Sequence, residues 1–156
     1  MEPSKRFDRR TLIRLRRAGW HSGRDVLREL KLPSGFSLFP AALKVLAEFG
    51  GLDFRSRSGR TSLDPNAGEE ILAEVKQYEE RLGTCLYPLG ICEGGDTIYI
   101  LIDENGIIYA LAGWLEPLAS KFDMAIKYFA AVFLVSQNEQ ATDLSRVGLL
   151  GKRWTL

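Results

Sequence analysis

Residues 96–113 read DTIYILIDENGIIYALAG: two runs rich in β-branched and aromatic side chains flank Asn105-Gly106. That dipeptide favours a tight type I′ turn, so the stretch predicts a β-hairpin. In the first run Ile98, Ile100 and Ile102 fall on one face, Tyr99 and Leu101 on the other. A strand that is apolar on both faces needs cover on both, which predicts a hairpin in the middle of its sheet.

Working outward, Leu52–Ser56 and Arg60–Leu63 around RSGR predict a strand pair. TCLYPLGIC (84–92) predicts a further strand, whose Pro88 calls for an edge position or a bend. Helices are expected before, between and after these strands along the chain. Asp8 caps a helix to Ala18 in which Leu12, Leu15 and Ala18 recur at intervals of three and Ile13 widens the buried stripe. Its Arg10, Arg14 and Arg17 take the opposite face, while Arg9 and Arg16 border the stripe. After the turn Trp20-His21-Ser22-Gly23, Arg24–Leu32 predicts a second short helix, broken by LPSG (32–35). Pro40 opens a third, with Ala42, Leu43, Leu46 and Phe49 inward, stopped by Gly50-Gly51. A fourth runs from near Asp64-Pro65 to Leu82, with Ile71, Leu72, Val75, Tyr78 and Leu82 on one face, acidic residues outside, and Gly83 as a left-handed C-cap. Ser120–Asp123 has capping-box spacing before Phe122, Ile126, Phe129, Ala130 and Phe133. Helices and strands are grouped rather than alternating. The expected class is α+β, one mainly antiparallel sheet with helices packed against it, in a single domain. Its core is expected over about 8–135, with 136–156 a peripheral extension tethered by Leu149, Leu150 and Trp154.

The chain has 156 residues, 46% of them hydrophobic and 26% charged, enough for one compact core. No stretch has the character of a signal peptide or a membrane span, so a cytoplasmic location is expected. Cys85, Cys92 and a lone His21 are too few for a zinc framework or a disulfide scaffold, and no metal or cofactor is expected. The net charge of +1 conceals a strong segregation. Residues 1–31 hold ten Lys/Arg and four Asp/Glu; residues 64–104 hold two Lys/Arg and ten Asp/Glu. Folded onto opposite faces these segments would steer charged partners, and folded together they would cancel.

No pattern of residues points to catalysis. His21 is the only imidazole available to a serine or cysteine nucleophile and reads as a turn residue. The pairs Glu69-Glu70, Glu79-Glu80 and Asp103-Glu104 read as solvated charge rather than as a glycosidase acid and base. FGGLDF and EGGDT lack the spacing of a phosphate loop or dinucleotide fingerprint, and DENG (103–106) lacks the calcium-loop pattern. The N-terminal arginines would suit phosphates, but the acidic middle would repel the same polymer, so nucleic acid is not the expected partner.

The pieces LRRAGWHSGRDV (15–26), FPAALKVLAEFGGLDF (39–54), LDPNA, LGTCLYPLG, ILIDENGIIYAL and FDMAIKYF occur in an order that resembles the SUKH superfamily, in its group-three immunity-protein branch. The resemblance covers residues 12 to about 134 and rests on an Ala-Gly-Trp turn followed by Gly-Arg, a helix ending in Phe-Gly-Gly-Leu, a Leu-Tyr-Pro-Leu-Gly strand and an Ile-Asp…Gly-hydrophobic-Tyr hairpin. It departs from the family pattern at EPLASKF, where a glycine is expected before the final helix, and at Trp114 and the tail.

The resemblance implies a bacterial, cytoplasmic, non-enzymatic protein that binds a cognate polymorphic toxin domain, a nuclease or nucleobase deaminase, and occludes its active site. Trp20 and Arg24 have two readings, as a structural plug and cap or as the border of a binding groove. A nucleic-acid-gripping toxin presents basic surface, so the partner-binding candidates are Glu69, Glu70, Glu79, Glu80, Asp103 and Glu104, together with Trp20, Arg24 and Trp114. The rival readings are a SUKH-type module in regulation or scaffolding, a nucleic-acid-associated protein using the N-terminal arginines, and a small hydrolase around His21.

Overall fold

A computed structural model describes residues 2–132. Six strands form one antiparallel sheet in the order in which they occur along the chain: β1 Asp53–Ser56, β2 Gly59–Ser62, β3 Leu86–Gly94, β4 Asp96–Asp103, β5 Ile108–Leu111 and β6 Leu115–Ala119. The helices are α1 Pro3–Arg6, α2 Arg9–Arg17, α3 Pro40–Phe49, α4 Leu72–Leu82 and α5 Phe122–Ala131. This is the expected α+β architecture, and β4 lies in the interior of the sheet.

The alternation along β4 divides the interior into two layers. Ile100 and Ile102 belong to a cluster with Leu15 of α2, Trp20, Leu46 and Phe49 of α3, and Phe122, Ile126 and Phe129 of α5. Leu101 belongs to a second cluster with Val75 and Tyr78 of α4, Leu86, Tyr109, Leu111 and Leu115. Each fully buried large side chain adds about 1.5–3 kcal/mol, so neither layer is dispensable. The basic helix α2 and the acidic helix α4 therefore lie on opposite sides of the sheet.

Several local expectations change in the structure. Arg24–Leu32 is not a helix; only Leu27–Glu29 forms a 3₁₀ turn. There the Asp25 carboxylate accepts from the Leu27 N–H (3.2 Å), a local bond that competes with helix formation. The segment expected to begin one long helix is a 3₁₀ stretch, Pro65–Ile71, which passes into α4 at Leu72. Within it Gly68 sits so close to the Pro88 ring that no Cβ would fit. Pro88 occupies an interior strand, and a register shift between Pro88 and Gly90 absorbs it, so the bend applies and not the edge. In α2 the buried positions are Thr11 and Leu15, whereas Ile13 is 41% exposed and does not widen the stripe.

The hairpin turn also differs from type I′. The Asp103 carbonyl accepts from Gly106 N–H (3.0 Å), and the Asp103 N–H donates to the Ile107 carbonyl (3.0 Å). Gly106 has φ +86°, while Asn105 does not have positive φ. This is a three-residue loop, a type I turn closed by a left-handed glycine. The capping box at Ser120–Asp123 does not form: Lys121 occupies the N-cap without a side-chain bond, and Asp123 pairs with Arg6 instead. α1 and β6 had no prediction, and β6 contains Pro117, as an edge strand permits. Phe133 and the tail expected at 136–156 lie outside the described residues.

Two substitutions test this account. A methyl group at Gly90 would run into the Ser62 carbonyl oxygen. Gly90→Ala is expected to cost about 2 kcal/mol or more in urea unfolding. The Asp8 carboxylate accepts from Thr11 N–H (2.9 Å) and Thr11 Oγ1 (2.7 Å), and these bonds hold its pKa below 3.8. Asp8→Ala should lose about 1 kcal/mol at neutral pH. A depressed pKa contributes stability above the unfolded value that disappears as pH falls through the folded one. The gap between the two proteins should therefore close below pH 3.8.

Candidate binding surfaces

The family-like turn after α2 folds onto the C-terminal end of α3. Trp20 is 4% exposed; its Nε1–H donates to Glu48 Oε1 (3.1 Å), and the Phe7 ring meets it edge-on at 5.7 Å. Arg24 donates through Nη1 to the Glu48 carbonyl (2.7 Å) and through Nη2 to the Gly50 carbonyl (2.8 Å). These carbonyls lie where α3 runs out of intrahelical donors, so Arg24 is the C-terminal cap of α3. Burial lowers its pKa, against the opposing pull of Glu29. Glu48 also accepts from Arg6 (2.8 and 3.2 Å), whose guanidinium donates to Asp123 of α5 (2.8 and 3.0 Å). The Asp123 bond is the main influence raising the Arg6 pKa. One part-buried network thus joins α1, the segment after α2, α3 and α5. The geometry gives Trp20 and Arg24 the plug-and-cap role.

The acidic candidates divide between the two ends of α4, which are about 16 Å apart at 1.5 Å per residue. At the far end Glu79 accepts from Leu86 N–H (2.9 Å) and pairs with Lys76 (3.0 Å). Nearby, Glu104 accepts from Thr84 Oγ1 (3.0 Å) and Cys85 N–H (3.1 Å), and Glu80 is exposed. Asp103 is only 2% exposed. Its carboxylate accepts from Asn105 N–H (2.9 Å), Ile107 N–H (3.0 Å) and the Tyr109 hydroxyl (2.9 Å), so it is the internal brace of the hairpin turn. Burial, with the Asp103 charge added, pushes the Tyr109 hydroxyl pKa up. Trp114, between β5 and β6, is half-buried.

At the near end Glu69 and Glu70 are exposed on the 3₁₀ stretch. They line an open depression of about 490 Å³ together with Asn66, Ile91, Thr97, Tyr99 and Glu93, the last 4.0 Å from Arg60. The Tyr99 hydroxyl donates to Glu70. Burial, reinforced by Glu70, Glu74 and Glu93, pushes the Tyr99 pKa up to about 12. The Asn66 side-chain oxygen at the edge of the depression is buried with no hydrogen-bond partner among the described residues. Sequence reading missed Ile91, Glu93 and Tyr99 as site residues. The available signal was the strand pairing that sets Ile91 opposite Tyr99 and Glu93 opposite Thr97.

On the other side of the sheet, Arg9, Arg10, Arg16 and Arg17 are exposed, and none forms an ion pair with a described residue. The acidic helix α4 lies on the other side of the sheet from them. His21 is exposed, with its ring Nδ1 3.0 Å from the Ser22 carbonyl oxygen. Cys92 is buried beside Thr61, and burial pushes its pKa up to about 12. A buried thiol of that pKa is a poor nucleophile. No helix among the described residues is long and apolar enough to cross a membrane.

The two carboxylates of the hairpin turn should respond differently to truncation. Asp103→Ala strands three donors and is expected to destabilise the protein by about 2–3 kcal/mol. Glu104→Ala should change unfolding free energy by less than about 1 kcal/mol. Chemical denaturation of both variants measures the contrast.

No curated protein and no solved structure matches the chain. A family model does: the SUKH-3 immunity protein model matches residues 7–131, from Phe7 in the Trp20 network to the last residue of α5. The match takes in the whole sheet, both helical layers and the Trp-Gly-Arg frame, and the chain belongs to the SUKH-3 immunity protein family.

Proposed function

We propose that this protein protects its bacterial host in the cytoplasm by binding a cognate polymorphic toxin domain and covering its active site, without catalysing a reaction. Family membership supports the immunity role. The observation behind the choice of surface is the concentration of exposed carboxylates on the α4 side of the sheet, around a depression that also presents Ile91 and Tyr99. A nuclease or nucleobase deaminase binds a polyanion, so its active-site cleft is basic. A basic side chain entering the depression would exchange water for Glu69, Glu70 and Glu93, while its aliphatic stem would lie against Ile91 and Tyr99. An occluding interface of this kind buries roughly 1,600 Å² in total. It would extend along α4 towards Glu80, Glu104 and Trp114. Trp20, Arg24 and Asp103 contribute from within, by keeping the helices and the hairpin in place.

Electrostatic contacts at the rim of an interface govern the association rate and its salt dependence more than the final affinity. Glu69→Lys with Glu70→Lys is therefore expected to slow association with the toxin domain at least tenfold at low salt. Co-expression with the toxin domain encoded beside this gene, scored by survival and co-purification, tests the reading. Rescue with a stable complex is the expected result. Neither rescue nor a complex would remove immunity by direct binding, and full protection by the double variant with an unchanged association rate would remove the acidic surface.

A further inference from the structure

The two sides of this molecule present opposite charge. On α2, Ile13 is one of two large hydrophobic side chains with marked exposure among the described residues, at 41%. Its helical neighbours at three and four residues on either side are Arg9, Arg10, Arg16 and Arg17, all exposed and without an ion-pair partner among the described residues. The result is an apolar knob ringed by four positive charges. On the opposite side of the sheet, the depression of about 490 Å³ is lined by Ile91, Tyr99, Glu69, Glu70 and Glu93. Asn66, Ala67 and Thr97 complete its lining, and Glu93 stands 4.0 Å from Arg60, so the hollow offers an apolar patch within a polar, predominantly negative rim. With the whole chain at +1, no long-range repulsion holds copies apart.

We propose that the protein associates with a second copy of itself head to tail, Ile13 of one copy seated in the glutamate-rimmed depression of the next. Knob and hollow lie on opposite sides of one sheet, so a pair joined this way leaves one knob and one hollow unoccupied. The contact is heterologous, and growth continues by addition at either end instead of stopping at a two-fold dimer. Its charged pairs are exposed and individually weak, which makes the association reversible, concentration-dependent and sensitive to salt. The hollow is also the surface assigned above to the toxin, so a bound toxin domain would remove that end from the chain of copies.

The test uses the full-length protein alone, so its failure leaves the immunity reading standing. Sedimentation equilibrium at rising concentration should show an average mass that climbs past the dimer at low salt and returns to the monomer at high salt. Two neutralised proteins follow. One carries Arg9→Gln, Arg10→Gln, Arg16→Gln, Arg17→Gln and Ile13→Gln; the other carries Glu69→Gln, Glu70→Gln and Glu93→Gln. Circular dichroism checks that both remain folded. Each alone should associate at least tenfold more weakly than the unmodified chain. Mixed, they retain one intact knob and one intact hollow and should form a one-to-one pair that grows no further. A monomer at every concentration in low salt overturns the proposal, as does a mass that saturates at the dimer. Association that is unchanged in either variant, or a mixture that forms no pair, does so too. Binding of a DNA or RNA oligonucleotide at α2 by a protein that never self-associates would assign the arginines to a polyanion instead.

Discussion

The second half of β4, which has no wet face, governs this structure. From Ile100 to Asp103 every residue of β4 is buried, with Ile100 and Ile102 directed to one layer and Leu101 to the other. Such a strand can exist in water only if helices cover both sides of the sheet. Once two layers are required, each helix turns its polar residues away from the sheet, in opposite directions on the two sides. The separation of arginines from glutamates is a direct result of that geometry combined with the order of charges along the chain.

The helical layer that holds α2 needs a second constraint, because its members are short and three of them must be kept in register. Glu48 meets that need. It receives Arg6 and the Trp20 indole through its carboxylate, and Arg24 through its carbonyl. Arg6 then reaches Asp123, so the start of α5 is fixed to the end of α3 through a residue that precedes both in the chain. Bidentate guanidinium contacts of this kind set orientation as well as distance. The family-like Trp-Gly-Arg frame is thus explained by what it fastens.

Periodicity made the helices α2 and α3, the first two strands and the central hairpin legible, because each shows its buried face in local spacing. Gly83 was legible for a backbone reason: it has φ +69° at the end of α4, where glycine escapes the Cβ penalty. The failures have a common origin in tertiary contacts. Asp123 looked like a capping residue and was claimed by Arg6 from the other end of the chain. Pro88 is tolerated in an interior strand because the ladder slips by one residue and Gly68 makes room for the ring. Asp103 looked like surface charge, and only the fold brings Tyr109 and two backbone N–H groups to its carboxylate. The depression was illegible for the same reason, since it joins the 3₁₀ stretch to β3 and β4 across a gap of more than twenty residues.

The two-sided arrangement has a consequence for how the molecule meets anything charged. The exposed arginines of α2 and the exposed glutamates beside α4 face opposite ways across one sheet, so part of the charge of the molecule is separated along the direction that crosses the sheet. A charged body approaching within about a Debye length, about 8 Å at physiological salt, exerts a torque before any atom touches. With little net charge to be pulled on as a whole, rotation is the main effect of that field. An approaching anion is drawn to the α2 side and an approaching cation to the α4 side.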